Sequence, residues 1–142
     1  MQKDFTMRTS LLVGEDGIEK LKNSNVIIFG VGGVGSFAAE AIARAGVGNL
    51  TIVDFDEVDI TNINRQLPAL HSTVGKSKVE VMKDRILDIN PNINLKAVKN
   101  LYNAETSDEI LCEDYDYVVD AIDMVSSKIH INFYYKLAAT LK

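Results

Sequence analysis

The sequence is poor in the residues that build metal cages and disulfide frameworks. Among 142 residues there is one cysteine, Cys112, and there are two histidines, His71 and His130. A single cysteine excludes an internal disulfide and any multi-cysteine zinc cage, and it suits a reducing, cytoplasmic setting. The histidines lie far apart in sequence, so neither a metal site nor a catalytic triad is read into them. Long apolar runs are missing too. No segment reaches the length of a membrane span, and residues 1–5, MQKDF, do not open a signal peptide. Positive charge is in deficit. The formal net charge of −5 argues against a broad nucleic-acid-binding face, which needs clustered Lys and Arg to displace counterions, but it leaves room for a local basic patch. No internal repeat or low-complexity linker interrupts the chain, and its length suits one domain with a proper core.

What is present is an alternation of short apolar runs and amphipathic stretches. Residues 26–29, VIIF, stop at Gly30 and read as a fully buried parallel strand. Val34, Phe37, Ala38, Ala41, Ile42 and Ala45 then recur at helical spacing, and Gly46 closes that helix. Residues 50–53, LTIV, form a second strand that ends at Asp54. Residues 57–75 read as a loop with at most a short helical turn. Residues 76–90 read as an amphipathic helix with Val79, Met82, Ile86 and Ile89 inward, stopped by Pro91. Residues 93–98 give a third strand. Residues 104–112 give a short helix with Asn103 as N-cap, which would place Cys112 among apolar neighbours as a buried, inert thiol. Residues 117–121 make a fourth strand, and residues 125–141 a last helix. This rhythm predicts an α/β, doubly wound, Rossmann-like three-layer sandwich with a mainly parallel sheet. Its strand-end loops gather at one edge, where such folds bind ligands. The chain ends on a helix where the rhythm asks for another strand, so a sheet incomplete at the C-terminus is expected.

The chemistry concentrates behind the first strand. Residues 30–35 read GVGGVG, with Gly30, Gly32, Gly33 and Gly35 between a strand and a helix. That arrangement lets bare backbone approach phosphates at a helix N-terminus. Asp54 ends the next strand, where an acid can accept hydrogen bonds from ribose hydroxyls. Taken alone, these features fit NAD, FAD, S-adenosylmethionine and ATP equally. Residues 75–77, GKS, imitate the end of a P-loop, but Leu70 stands where that motif needs a glycine and no strand precedes it. The discriminating cluster is Asn62, Arg65, Gln66 and Lys78. ATP cleaved at its α-phosphate presents a polyphosphate tail and developing negative charge, which call for Arg, Lys and a metal ion. Arg65 offers planar, bidentate recognition of phosphate oxygens, and Lys78 a flexible point charge. Both cations disfavour a nicotinamide-dependent oxidoreductase. Asp120 and Asp123 follow the fourth strand; one of the pair could hold Mg²⁺ with phosphate oxygens, and the other is expected to cap the next helix.

These residues together resemble the ThiF/MoeB/HesA superfamily, the adenylating enzymes related to ubiquitin-activating enzymes. The resemblance runs from about Arg8 to Lys136. It implies that Gly33 lies against the nucleotide, that Asp54 binds ribose, and that the segment from Thr61 through Asn62 to Arg65, together with Lys78, grips the phosphates; Asp56 and Gln66 are further cofactor-binding candidates, and Arg65, Lys78 and Arg8 the catalytic ones. It implies that Asp123 supports Mg²⁺ and that Arg8 reaches into the site of a partner subunit, hence a homodimer. Residues 1–24 then form an N-terminal helical arm and residues 25–142 an ATP-binding adenylation domain. Members that activate ubiquitin-like sulfur carriers usually show Cys-Thr-Asp-Asn where this chain has Ala121, Ile122, Asp123 and Met124. Ala-Ile-Asp followed by Val125 and Lys128 looks like the branch of tRNA threonylcarbamoyladenosine dehydratases. That branch implies ATP-dependent activation of a carboxylate on a modified adenosine in tRNA. Two alternatives stand beside it: an adenylyltransferase acting on the C-terminus of a sulfur-carrier protein, and a non-catalytic nucleotide-binding protein. The resemblance also implies that a basic tRNA-binding surface lies outside these residues or across the dimer.

Overall fold

The computed structural model describes residues 4–140 and shows an all-parallel four-stranded sheet flanked by helices. In chain order the elements are α1 (Met7–Asn23), β1 (Asn25–Phe29), α2 (Gly35–Ala45), β2 (Asn49–Val53), a 3-10 turn (Ile60–Asn62), α3 (Lys78–Ile89), β3 (Asn94–Val98), α4 (Ser107–Ile110), β4 (Tyr117–Asp120) and α5 (Val125–Thr140). The strands lie in the order β3-β2-β1-β4. The chain therefore winds outward from β1 through β2 to β3, then crosses to the other side of β1. That reversal opens a crevice between β1 and β4 at their carboxyl ends.

The central strand shows why the apolar runs are continuous. β1 pairs with β2 on one side and β4 on the other, with Ile28 opposite both Ile52 and Val119. Both faces of β1 are covered, so every residue from Val26 to Phe29 is buried. Alternate side chains go to opposite layers. Val26, Ile28, Leu50 and Ile52 pack with Ala39 and Ala43 of α2 and Val79, Met82 and Ile86 of α3. Ile27, Phe29 and Val53 pack on the other face with Tyr102, Ile110 of α4 and Ile131 of α5. The expected inward face of α3 is thus the observed one, with Ile89 partly buried at its end.

The sequence reading departs from the structure in the segment before β4. The helix expected over residues 104–112 is a single turn, Ser107–Ile110, headed by Thr106. Asn103 does not cap it. Its side chain instead accepts from the N–H groups of Glu105 (2.9 Å) and Thr106 (3.0 Å), closing a turn ahead of the helix. Because the helix stops at Ile110, Leu111 takes the last buried position and Cys112 emerges exposed rather than buried. The expected end of the last helix, Leu141, lies outside the described residues, as do residues 1–3 and Lys142. Among the described residues no helix is long and apolar enough to cross a membrane.

One charged contact ties α2 to α3 beneath the crevice. Glu40 accepts hydrogen bonds from the guanidinium of Arg85 and from Arg44, the latter at 2.8 Å. The Arg85 hydrogen bond holds the Glu40 carboxyl below the usual glutamate range, against partial burial and with help from Arg44. A carboxyl depressed in the folded state adds stability above its unfolded pKa and loses it as pH falls through the folded one. The guanidinium of Arg85 is well exposed, so the effect is screened to below about 1 kcal/mol. Glu40→Gln should therefore lower stability slightly at neutral pH and flatten its decline in acid. Urea unfolding across that range checks this, and an unchanged acid slope would remove Glu40 from the account.

Candidate functional site

The crevice is a cleft of about 520 Å³ at the carboxyl ends of the strands. Each strand end contributes. β1 leads into Gly30, Gly32 and Gly33, and β2 into Asp54, Phe55 and Asp56. β4 leads into Ala121, Ile122 and Asp123, and the loop before α3 adds Asn62, Arg65 and Gln66. Lys78 enters from the first position of α3. The structure thus gathers into one cleft residues that the sequence spreads over nearly a hundred positions.

The four glycines divide the labour. Gly30 adopts φ 89°, and a Cβ there would lie 2.6 Å from the carbonyl oxygen of Ala121. A Cβ on Gly35 would overlap the carbonyl oxygen of Gly30 itself. These two glycines let the turn fold tightly against the end of β4, and Gly35 does not line the cleft. Gly32 and Gly33 are different. A Cβ on Gly33 would sit 3.7 Å from Cγ of Arg65, and one on Gly32 3.5 Å from Nε2 of Gln66, both ordinary contacts. Their bareness leaves open backbone facing Arg65 and Gln66, a cradle that a methyl group would fill.

Asp54 is committed to backbone. Its Oδ2 accepts from the N–H of Val31 and its Oδ1 from the N–H of Asp56, both at 2.8 Å. Each oxygen keeps a second lone pair for a ligand hydroxyl. Lys78 is buried, yet its Nζ reaches Oδ2 of Asp56 at 3.0 Å. Arg65 is exposed. Its Nη1 donates to the carbonyl of Thr61 (3.0 Å) and to Oδ1 of Asn64 (2.9 Å). That leaves the outer edge of the guanidinium without a partner among the described residues, the geometry needed for a two-point grip on phosphate.

Thr61 and Asn62 act on this arrangement from behind. Asp59 accepts from the N–H of Thr61 (2.8 Å) and its hydroxyl (2.6 Å), while Oδ1 of Asn62 accepts from the N–H of Asp59 (3.0 Å). The Thr61 hydroxyl, then its N–H, and further off the charge of Lys78 hold the Asp59 carboxyl below its usual range. Thr61 itself does not line the cleft; Asn62 does. Gln66 carries a buried Oε1 with no partner among the described residues, an orphan that a bound ligand or water would satisfy. Arg8 lies exposed on α1 and is not among the cleft residues.

The two acids after β4 separate cleanly. Asp120 accepts from the N–H of Ile122 (3.2 Å) and pairs with Nζ of Lys128 (2.7 Å). It is the structural member, although it anchors the first turn of α5 through Lys128 and does not cap that helix as expected. Asp123 is exposed, lines the cleft and has no partner among the described residues. No group of three acids, histidines or cysteines is placed to hold a metal among the described residues, so a cation here would rest on one carboxylate, phosphate oxygens and water.

Sequence reasoning missed the wall supplied by the loop after β3: Asn100, Leu101 and Tyr102. The rule that strand ends face the ligand would have found it, since β3 ends beside β2. Tyr102 packs on Phe29 with ring centroids 4.5 Å apart and shares a hydrogen bond with Nδ1 of His130 at 3.1 Å. Burial, and then the nearby Tyr134 and Asp108, push its phenol up to about 12, so it stays protonated. Ser127 also lines the cleft, but its hydroxyl donates to the carbonyl of Tyr102 at 2.7 Å. The site therefore offers two cations, bare backbone and one acid without a partner among the described residues. Its chemistry is that of gripping a polyanion and stabilising charge.

Comparison with known proteins places this geometry. The sequence model of the ThiF family matches residues 6–140. The chain is 56% identical over 124 residues to a tRNA threonylcarbamoyladenosine dehydratase of Bacillus subtilis, covering 87% of this chain and 49% of that protein. It is 41% identical over 117 residues to the molybdopterin-synthase adenylyltransferase of Escherichia coli, covering 82% and 47%. The E. coli tRNA N6-threonylcarbamoyladenosine dehydratase solved in complex with AMP superposes with a TM-score of 0.91 at 39% identity, over 93% of this chain and 54% of that one. The same enzyme in complex with ATP gives 0.83 at 41% identity, over 85% and 50%. The chain thus spans about half the length of these relatives.

The glycine roles make a prediction. Gly35→Ala should cost at least about 2 kcal/mol, because the clash is with backbone that no rotamer change relieves. Gly33→Ala should leave unfolding almost unchanged, and comparable losses in chemical denaturation of the two variants would contradict this division.

Proposed function

Because the chain belongs to the ThiF family, we propose that its cleft binds ATP and serves the ATP-dependent adenylation of a substrate carboxylate. A carboxylate oxygen attacks the α-phosphorus, the bond to the bridging oxygen breaks, and pyrophosphate leaves an acyl-adenylate behind. The observation that carries this reading is the meeting of bare Gly32 and Gly33 backbone with Arg65 and buried Lys78 in one cleft. A dinucleotide used for hydride transfer needs no such pair of cations.

The geometry supports a role for each residue. Asp54 accepts from the ribose with its remaining lone pairs. The backbone of Gly32 and Gly33 closes on the phosphates, with Gln66 beside it. Arg65 and Lys78 neutralise the charge that moves onto the departing pyrophosphate, so catalysis is positioning and electrostatics. Asp123 fits Mg²⁺, which would be held by this carboxylate with phosphate oxygens and would supply further neutralising charge.

For the carboxylate, the 56% identity to a tRNA threonylcarbamoyladenosine dehydratase and the Ala121, Ile122, Asp123, Val125, Lys128 pattern support the threonylcarbamoyl group of modified adenosine in tRNA. Its activated acyl carbon is then attacked from within the same side chain, releasing AMP and leaving a ring. The likeness to a molybdopterin-synthase adenylyltransferase supports the second reading, a ubiquitin-like sulfur-carrier protein as substrate. Arg8, exposed and outside the cleft of its own chain, suits the reach into a second copy that a homodimer would need.

Pyrophosphate exchange into ATP tests the proposal. Exchange should depend on tRNA carrying threonylcarbamoyladenosine, and dependence on a sulfur-carrier protein instead would favour the second reading. ATP should bind and NADH should not; the reverse would overturn the nucleotide assignment. Lys78→Met and Arg65→Ala should each lower exchange by about a hundredfold, the effect of losing one group that stabilises transition-state charge.

A further inference from the structure

Lys78 is the one charged residue that is buried among the described residues. Its side chain is 6% exposed, whereas that of its partner Asp56 is 46% exposed. A buried ammonium without a counter-ion is costly, so a neighbouring group must supply one. Asp56 does, and it holds Lys78 at both ends. Its Oδ2 sits 3.0 Å from Nζ of Lys78, and its carbonyl accepts from the N–H of Lys78 at 3.1 Å. Asp56 is in turn fixed by its own N–H, which donates to Asp54. Asp59, the other acid that senses Lys78, is engaged by the N–H and hydroxyl of Thr61 and does not line the cleft.

An anion 3.0 Å from the ammonium occupies a donor that a phosphate oxygen would claim. We propose that Asp56 does not bind the nucleotide but is a positioning residue that holds Lys78 ready, its carboxylate being the counter-ion that the incoming phosphates displace. This rests on the ATP reading of the cleft. It assigns Asp56 a role opposite in sign to that of a nucleotide ligand. A ligand, whether direct or through a cation, strengthens binding; a competitor for Lys78 weakens it and in return keeps the cation in place in the nucleotide-free protein.

Equilibrium binding of ATP and adenosine to the protein and its variants, at low and high salt, decides the matter. Asp56→Asn should bind ATP about fivefold more tightly at low salt, the worth of one partly exposed ion pair. The gain should shrink at high salt, and adenosine, which lacks phosphates, should bind unchanged. In a Lys78→Met background the same substitution should give no gain, whereas general repulsion by Asp56 would survive there. The nucleotide-free Asp56→Asn protein should also melt lower, with ATP restoring more of the loss than in the parent. Asp56→Ala should repeat these signs if the asparagine variant fails to fold. Weaker ATP binding by Asp56→Asn, or a gain that persists without Lys78, would overturn the proposal while leaving the ATP reading intact. Failure of the parent protein to bind ATP would overturn both.

Discussion

The Asp54 carboxylate is the joint on which the cleft depends. Through Val31 it holds the backbone of the glycine turn, and through Asp56 it holds the segment that carries the counter-ion of Lys78. One side chain at the end of β2 thereby links the turn after β1 to the first residue of α3. Charged hydrogen bonds to backbone N–H groups are among the stronger ones a protein makes. Both N–H groups here belong to loops that have no sheet ladder of their own to join. Without this carboxylate, the glycine turn and the segment at Asp56 would lose their direct link, leaving the packing of α3 and the contact of Leu67 with Ser36 to set the spacing of the cleft walls. The family resemblance assigns Asp54 to ribose; the structure gives it this second duty, and the two are compatible because each oxygen has a lone pair to spare.

The acidic balance of the chain sharpens the electrostatics of the site. With a net charge of −5, the molecule as a whole disfavours polyanions, and within the cleft Arg65 and Lys78 supply the opposing charge. The two cations are held by different means. Arg65 is steered through neutral acceptors, the carbonyl of Thr61 and the amide of Asn64, and so keeps its full charge for a ligand. Lys78 is held by an anion. On the proposed ATP reading, an exposed guanidinium with neutral neighbours would meet phosphate at little cost, whereas the buried ammonium would first have to give up its carboxylate partner.

Much of the fold was legible because it rests on patterns that local chemistry enforces. The run at residues 26–29 could only be a strand covered on both faces, and β1 is the central strand. The inward spacing of Val79, Met82 and Ile86 survives unchanged in α3. Gly30, Gly32, Gly33, Asp54, Asn62, Arg65, Gln66, Lys78 and Asp123 do meet in one cleft. The failures share a cause. Whether the residues around Asn103 form two helical turns or one is decided by where Leu111 and Ile110 find room beneath the sheet, not by their own periodicity. Cys112 was misplaced for the same reason. The wall formed by Asn100, Leu101 and Tyr102 has no composition that marks it. It belongs to the cleft only because β3 ends at the same edge of the sheet. The inner division among the glycines was equally hidden: sequence treats Gly33 and Gly35 alike, and only the approach of the Gly30 carbonyl separates them.

The end of β4 shows how far position alone can mislead about role. Asp120 and Asp123 are the same residue type three positions apart at the end of β4, and either could have been assigned to a cation from sequence. Asp120 is the last residue of the strand, paired in register with Phe29, so its side chain is held beside the start of α5, where Lys128 meets it at 2.7 Å. That pair fixes the helix against the sheet and so fixes the turn between them. Asp123 sits in that turn, beyond the ladder, and its carboxylate remains unpaired among the described residues. A carboxylate already neutralised by an ammonium makes a poor ligand for a hard cation, since it would have to give up one charge partner to gain another. The ion pair of Asp120 thus does two things at once: it ties β4 to α5, and it leaves Asp123 as the acid of that turn without a partner among the described residues, the one that the proposed Mg²⁺ would use.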